Sequence, residues 1–188
     1  MRDVRGGHAL ERADDRIVAG RAIDGDVDAF AVLVRRYGPM MKAYAARMLN
    51  ASAEVDDVVQ ESFVIAWQRL SDLSEPDKVK SWLMRIVSRK TVDRLRARRI
   101  QADIDEVDLA APVHASPPHI AETRAEVAAL GAALRELPDD QRECWVLREV
   151  GGYSYDEIAE QLGVPVTTVR GLLARARKYI IVRMEEWR

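Results

Sequence analysis

Apolar positions recur at helical spacing through most of the chain, and no segment stands out with the period-two alternation of a strand. The clearest run lies between Ser154 and Lys178. Ser154 and Glu157 have the spacing of a capping box, which starts a helix. Ile158, Ala159 and Leu162 then give one apolar face, and Gly163 suits the left-handed position that ends a helix. Pro165 suits the first turn of the next one. In that second helix Val169, Leu173, Ala176 and Ile180 form one narrow stripe. The opposite face carries Thr167, Thr168, Gly171, Arg175 and Lys178, flanked by Arg170. Small hydroxyl and glycine positions allow close approach to base edges, and the surrounding cations can reach phosphates. The pattern predicts a helix-turn-helix whose second helix reads DNA. The plain alternative is a helical hairpin with a solvated basic face.

A second strong element is expected over residues 53–70. Ser52 can cap it, and Glu54, Asp56 and Asp57 suit its first turn, where the helix dipole favours acids. Val55, Val59, Phe63, Ala66 and Leu70 form the expected buried stripe. Asp56, Gln60, Val64 and Trp67 share another side, with Asp57 and Glu61 beside them. An aromatic and an aliphatic residue among acids suggest a docking surface with an anchor, against the alternative that Trp67 packs inside its own domain. The next helix holds Trp82, Leu83 and Ile86. It then carries Arg85, Arg89, Lys90, Arg94, Arg96, Arg98 and Arg99 against Asp93 alone. Such one-signed clustering favours a polyanion over a merely solvated face.

Composition changes the picture in three ways. The formal net charge is only −2, so any nucleic-acid affinity must come from segregated patches rather than from the total. Cys144 is the single cysteine, which excludes an internal disulfide and a cysteine-built metal site; beside Trp145 in an apolar helix it reads as core. His8, His114 and His119 fall in segments expected to be flexible. No glycine-rich phosphate loop, metal-ligand spacing or nucleophile–base pair is present, so neither an enzyme nor a cofactor is expected. No apolar run approaches membrane-spanning length and the N-terminus lacks an apolar signal region, so a cytoplasmic protein without membrane insertion is expected. Acids and proline steps with little periodicity mark residues 101–121 as an extended linker. The expected organisation is all-α. It has a flexible N-terminus over 1–15, a small helical domain over 16–100, the acidic, proline-containing linker over 101–121, and a helix-turn-helix domain over 122–188.

Four motifs in this order resemble bacterial sigma factors of the extracytoplasmic-function type, the smallest members of the sigma-70 family. Asp24-Gly25-Asp26 with Ala29, Phe30, Leu33 and Tyr37 resembles the family's opening helix. Asp56 to Phe63 followed by Trp67 resembles its polymerase-binding segment. Trp82-Leu83 with Ile86, Asp93 and Arg96 resembles the helix that reads the minus-ten promoter element. Leu137-Pro138, Gln141-Arg142 and the stretch Gly152 to Arg177 resemble the domain that reads the minus-thirty-five element.

The resemblance implies an initiation factor that binds core RNA polymerase, brings it to particular promoters and helps open the DNA. Asp56, Asp57, Gln60, Glu61, Val64 and Trp67 would dock on the polymerase. Lys78, Lys80, Arg85, Ser88, Arg89 and Arg96 would meet the minus-ten element. Thr167, Thr168, Arg170, Gly171, Arg175 and Lys178 would meet the minus-thirty-five element. The linker would thread toward the active-site channel, residues 71–80 would hold an unstacked base, and an anti-sigma factor is implied as a further partner. A stand-alone helix-turn-helix regulator is the alternative, but its ligand domain would need a pocket where this chain offers an acidic face and a basic helix.

The chain also departs from the family pattern. Arg89 stands where an asparagine is usual, and Lys90 where an apolar residue is usual. Leu172, at the edge of the apolar stripe, replaces a typical cation. Residues 68–81 hold no aromatic side chain, so stacking platforms are sparse and DNA melting is expected to be weak and promoter choice stringent.

Overall fold

The computed structural model describes residues 10–50, 52–104 and 118–187, and among these every regular element is helical. Residues 1–9 of the expected flexible N-terminus lie outside the described residues, as do the acidic run 105–117 and the side chains of His8 and His114. The helices are α1 (Asp15–Ile23), α2 (Val27–Met48), α3 (Glu54–Gln68), α4 (Val79–Ile104), α5 (Pro118–Glu136), α6 (Asp139–Glu149), α7 (Tyr155–Leu162) and α8 (Val166–Trp187). Short 3-10 turns at Leu70–Asp72 and Pro76–Lys78 join α3 to α4. Contacts divide the chain into two compact units, with the boundary inside α4 between Val92 and Asp93; the turn beginning at Arg47 groups with the second.

In the first unit, aspartates set the helix starts. The Asp14 carboxylate accepts from the Arg16 N–H at 2.9 Å and caps α1. Asp26 accepts from the N–H groups of Asp28 and Ala29 at 3.0 and 3.1 Å, and the Ala29 bond holds its carboxyl below the usual range. Val18, Leu33, Met41, Tyr44, Leu83, Met84 and Val87 fill the core. The chain is anchored earlier than expected. Residues 10–12 form a helical turn, Leu10 is buried, and Arg36 donates to the carbonyls of Glu11 and Ala13 and to the Asp15 carboxylate. These partners are far apart in sequence, so local periodicity does not reveal them.

The start of α3 also differs from expectation. Its cap position falls on Ala53, which makes no side-chain cap bond, rather than on Ser52. Val58 and Ser62 join Val55, Phe63 and Ala66 in the buried stripe, while Val59 is only half-buried. The Ser62 hydroxyl donates to the Val58 carbonyl at 2.6 Å, which satisfies it inside the core. Ser88, read as a DNA contact, is corrected by the same logic. It is 6% exposed and accepts from the Tyr44 hydroxyl at 3.1 Å, so it belongs to the core of the first unit. Helix α4 is continuous to Ile104 and α5 begins at Pro118, so both helices extend into the segment read as linker.

In the second unit α8 packs against α5, α6 and α7. The expected capping box at α7 forms. The Glu157 N–H donates to Ser154 Oγ at 3.2 Å, and the Ser154 N–H donates to Glu157 at 2.7 Å. Gly163 ends α7 with φ 67°, a left-handed conformation that glycine adopts without steric cost. Pro165 sits one residue before α8, and its carbonyl accepts from Thr168 and Val169. Leu134, Leu137, Ala176 and Ile180 form a core cluster, flanked by Leu130, Trp145, Tyr179 and Met184. Cys144 is fully buried, and that burial pushes its thiol up to about 12, so it is a core side chain rather than a reactive thiolate near neutral pH.

Two substitutions test this packing. A Cβ at Gly151 would lie 2.7 Å from both the Leu147 carbonyl oxygen and the Tyr153 ring. Gly151→Ala should therefore cost about 1–3 kcal/mol of stability, measured by denaturant unfolding. Ser88→Ala should cost about 1 kcal/mol through its lost hydrogen bond. It should leave the choice among minus-ten sequences unchanged in transcription assays.

Candidate polymerase and nucleic-acid interfaces

The outward face of α3 carries the expected docking set. Asp56, Asp57, Gln60, Val64 and Trp67 are exposed, and Glu61 is half-buried. Val64 and Trp67 are conspicuous there at 55% and 39% exposure. Trp67 leans on Phe30 of α2, with ring centroids 5.0 Å apart, and Phe30 meets Phe63 edge-on at 6.3 Å. The indole thus packs within its own unit on one side and stays partly exposed. A groove of about 420 Å³ opens along α3, lined by Asp57, Gln60, Glu61, Val64, Ile65 and Lys90. Lys90 pairs with Glu61 at 2.6 Å, so this departure from the family pattern is held in an ion pair between α4 and α3.

On α4, Arg85 and Arg89 of the first unit are exposed, and at 3.6 residues per turn they fall within about 40° of one another. Arg96, in the part of the helix that groups with the second unit, is exposed too. Lys80 is half-buried on a different side of the helix. Lys78 lies in the preceding 3-10 turn and pairs with Glu75 at 2.9 Å. Arg98 is half-buried and donates to the Leu49 carbonyl at 3.3 Å, where α2 has ended and Asn50 adopts φ 58°. The basic run therefore separates by face, and only part of it is exposed. Between the two helices, Leu70, Leu73 and Val79 turn inward, and both 3-10 turns contact α1.

On α8, Thr167, Thr168, Arg170, Arg175 and Lys178 are exposed and Gly171 is half-buried. The Arg175 guanidinium lies over Gly171, 3.4 Å from where a Cβ would be. Val169, Leu173, Ala176 and Ile180 are buried beneath. Leu172, at the edge of that stripe, is buried too, at 5% exposure; the position that typically carries a cation is here part of the core. A groove lined by Leu137, Pro138, Gln141 and Val182 runs beside Arg175 and Lys178.

Several positioning residues were not foreseen from sequence. Arg177 donates to the Tyr155 hydroxyl at 3.2 Å and to Glu149 at 3.0 Å, tying α8 to α7 and α6. The Arg177 hydrogen bond lowers the Tyr155 pKa. Arg148 lies 5.3 Å from the Tyr155 ring centroid and donates to the Tyr153 carbonyl at 2.6 Å. Further along α8, Tyr179 donates to Glu136, and Arg183 pairs with the same carboxylate at 2.8 Å. These bonds, Arg183 first, hold Glu136 below the usual carboxylate range. Arg142, in the Gln-Arg motif after Pro138, is 4% exposed and pairs with Asp139 at 2.6 Å, bracing the α5–α6 turn. Their common signal is a charged residue placed beside an apolar stripe, which becomes informative only once the opposing helix is known.

Comparison with known proteins agrees with this geometry. The model of sigma-70 region 2 matches residues 33–100, and that of sigma-70 region 4 matches residues 128–180. The chain is 36% identical over 173 residues to the RNA polymerase sigma factor CnrH of Cupriavidus metallidurans, covering 87% of this chain and 90% of that protein. It is 31% identical over 180 residues to the ECF RNA polymerase sigma-E factor of Escherichia coli, covering 90% and 94% respectively. The solved structure of CnrH in complex with the cytosolic domain of CnrY superposes with a TM-score of 0.70 at 33% identity, over 92% of this chain and 97% of that one. The sigma factor RpoE from Bartonella quintana, in complex with the anti-sigma factor NepR, shares the fold with a TM-score of 0.72 at 22% identity, over 85% and 98%. Two helical units with these faces, matched along nearly their whole length, place the chain in the sigma-70 family as a sigma factor of the extracytoplasmic-function type.

Proposed function

We propose that this protein is a transcription initiation factor that docks on core RNA polymerase through α3 and reads promoter DNA through α4 and α8. The observation that carries the reading is the exposure pattern of α8. Its apolar stripe is consumed by the core, and the side chains left outward are small hydroxyls, a glycine and cations. That set suits base edges and phosphates. Among the residues first assigned to the minus-ten element, exposed Arg85 and Arg89 offer the reading face, and Arg96 further along the helix is exposed too. Lys80 lies on another side of α4 and Lys78 in the preceding turn, and the burial of Ser88 argues against its contact with DNA. The functional division is 16–100 for polymerase and the minus-ten element, 101–121 as tether, and 122–188 for the minus-thirty-five element.

The protein acts by binding and positioning and performs no covalent chemistry of its own. None of its described helices is long and apolar enough to cross a membrane, and its site of action is the cytoplasm, where polymerase and promoter meet. An anti-sigma partner is the natural regulator, because the structural relatives RpoE and CnrH were each solved with a bound protein, named as an anti-sigma factor in the first case. The inward turn of Leu70, Leu73 and Val79, with no aromatic over 68–81, supports weak melting and stringent promoter choice. A stand-alone regulator is disfavoured by the α3 face, which suits a protein partner and leaves a DNA-only function without a use for it.

Variants separate the two kinds of surface. Trp67→Ala, or Asp57→Lys combined with Gln60→Ala, should weaken core polymerase binding by about 2 kcal/mol while helical content is retained. Unchanged affinity in a partly unfolded protein would make Trp67 a core residue and the face misassigned. On α8, Thr168→Ala or Arg175→Ala should change which upstream sequences are used, at a cost of about 1–3 kcal/mol at a matched site. Lys178→Ala, nearer the helix end, should weaken all promoters alike and reduce the salt slope by about one. Transcription from a promoter library at several salt concentrations distinguishes these outcomes. Equal losses across every sequence for all three variants would leave α8 with charge alone.

A further inference from the structure

The carboxylates of the docking face are not electrically equivalent. Asp56 pairs with Lys42 at 2.6 Å, and Glu61 pairs with Lys90 at 2.6 Å. Asp57, between them in sequence and exposed, has no ion-pair partner among the described residues. Lys42 comes from α2 and Lys90 from α4, so each neighbouring helix lends α3 one cation. Lys90 also lines the groove beside Val64, at a position where the family pattern has an apolar residue.

A partner cation approaching Asp56 or Glu61 meets a carboxylate that already has a counterion. It must displace the lysine, and the exchange of one exposed ion pair for another gains little. At Asp57 the approaching cation meets an uncompensated charge. The lysines also cancel part of the long-range field that would steer a basic surface toward α3.

Resting on the docking reading above, we propose that Lys42 and Lys90 are built-in counterions that attenuate the binding of core RNA polymerase to α3. The charge available for capture is concentrated on Asp57, which lines the same groove as exposed Val64. Affinity for polymerase is then set below what the acidic face could deliver, and it is tunable at two positions outside the docking set.

The test is the dissociation constant of the full-length chain for purified bacterial core polymerase, measured across a salt series. Lys90→Met should bind about two- to fivefold tighter at low salt, the scale of one exposed ion pair. That advantage should fade at high salt, where screening removes it. Lys90→Arg keeps the charge and should match the parent chain. Lys42→Met, on a 59% exposed side chain, should behave like Lys90→Met and provides the same reading should the latter fold poorly. Unchanged or weaker binding of both methionine variants, with helical content intact, would overturn the proposal. That failure is distinct from failure of the docking surface itself, which would appear as unchanged affinity of Trp67→Ala and of Asp57→Lys with Gln60→Ala.

Discussion

The second unit depends on burying one stripe of α8. Val169, Leu173 and Ala176 are at most 1% exposed, and each packs into a core supplied by α5, α6 and α7. Fixing that stripe fixes the helix's rotation, and the rotation decides which side chains face outward. A shift of one residue would turn the helix by about 100° and carry Thr168 and Arg175 away from solvent. Arg177 reinforces the setting by reaching back to Tyr155 and Glu149. The DNA-reading surface is therefore a consequence of core packing: the residues proposed to read bases are those the core leaves over.

The first unit uses its helix faces more economically. On α3 the buried stripe and the face proposed for docking adjoin, and Trp67 bridges them through its contact with Phe30. A side chain held on one side by packing loses little freedom when a partner covers the other, which suits it to act as an anchor. On α4 the same helix that buries Leu83, Met84, Val87 and Ser88 turns Arg85 and Arg89 outward. Core and function are thus read from one periodicity, with the sign of the exposed charge changing from acidic on α3 to basic on α4.

Much of this was legible in the sequence because it is local. The capping box at Ser154, the left-handed Gly163 and the stripe of α8 are set by residues within a few positions of one another. The exposed acidic side of α3 was readable for the same reason. What was not legible depended on partners distant in the chain. Ser88 looks like a polar residue in a basic helix until Tyr44 is placed against it. Arg36 and Arg177 look like surface cations until Ala13 and Tyr155 are beside them. Leu172 reads as a missing cation until the core is seen to accept it, and Lys90 as a packing anomaly until Glu61 meets it. Ser52 shows the converse: the helix begins one position later than the pattern suggests, so the cap position falls on Ala53.

The account's central claim is that this chain confers promoter selection on a polymerase rather than acting on DNA alone. Two tethered DNA-reading units bind cooperatively only when something fixes their separation, and polymerase is the proposed platform. Transcription from genomic fragments by purified core polymerase, with and without the full-length chain, tests this most directly when start sites are mapped. The account predicts a discrete set of new start sites that appears only with the protein, each preceded by shared upstream elements, together with weak promoter binding by the protein alone. The same start sites with and without the chain, or tight site-specific binding unaffected by polymerase, would contradict it.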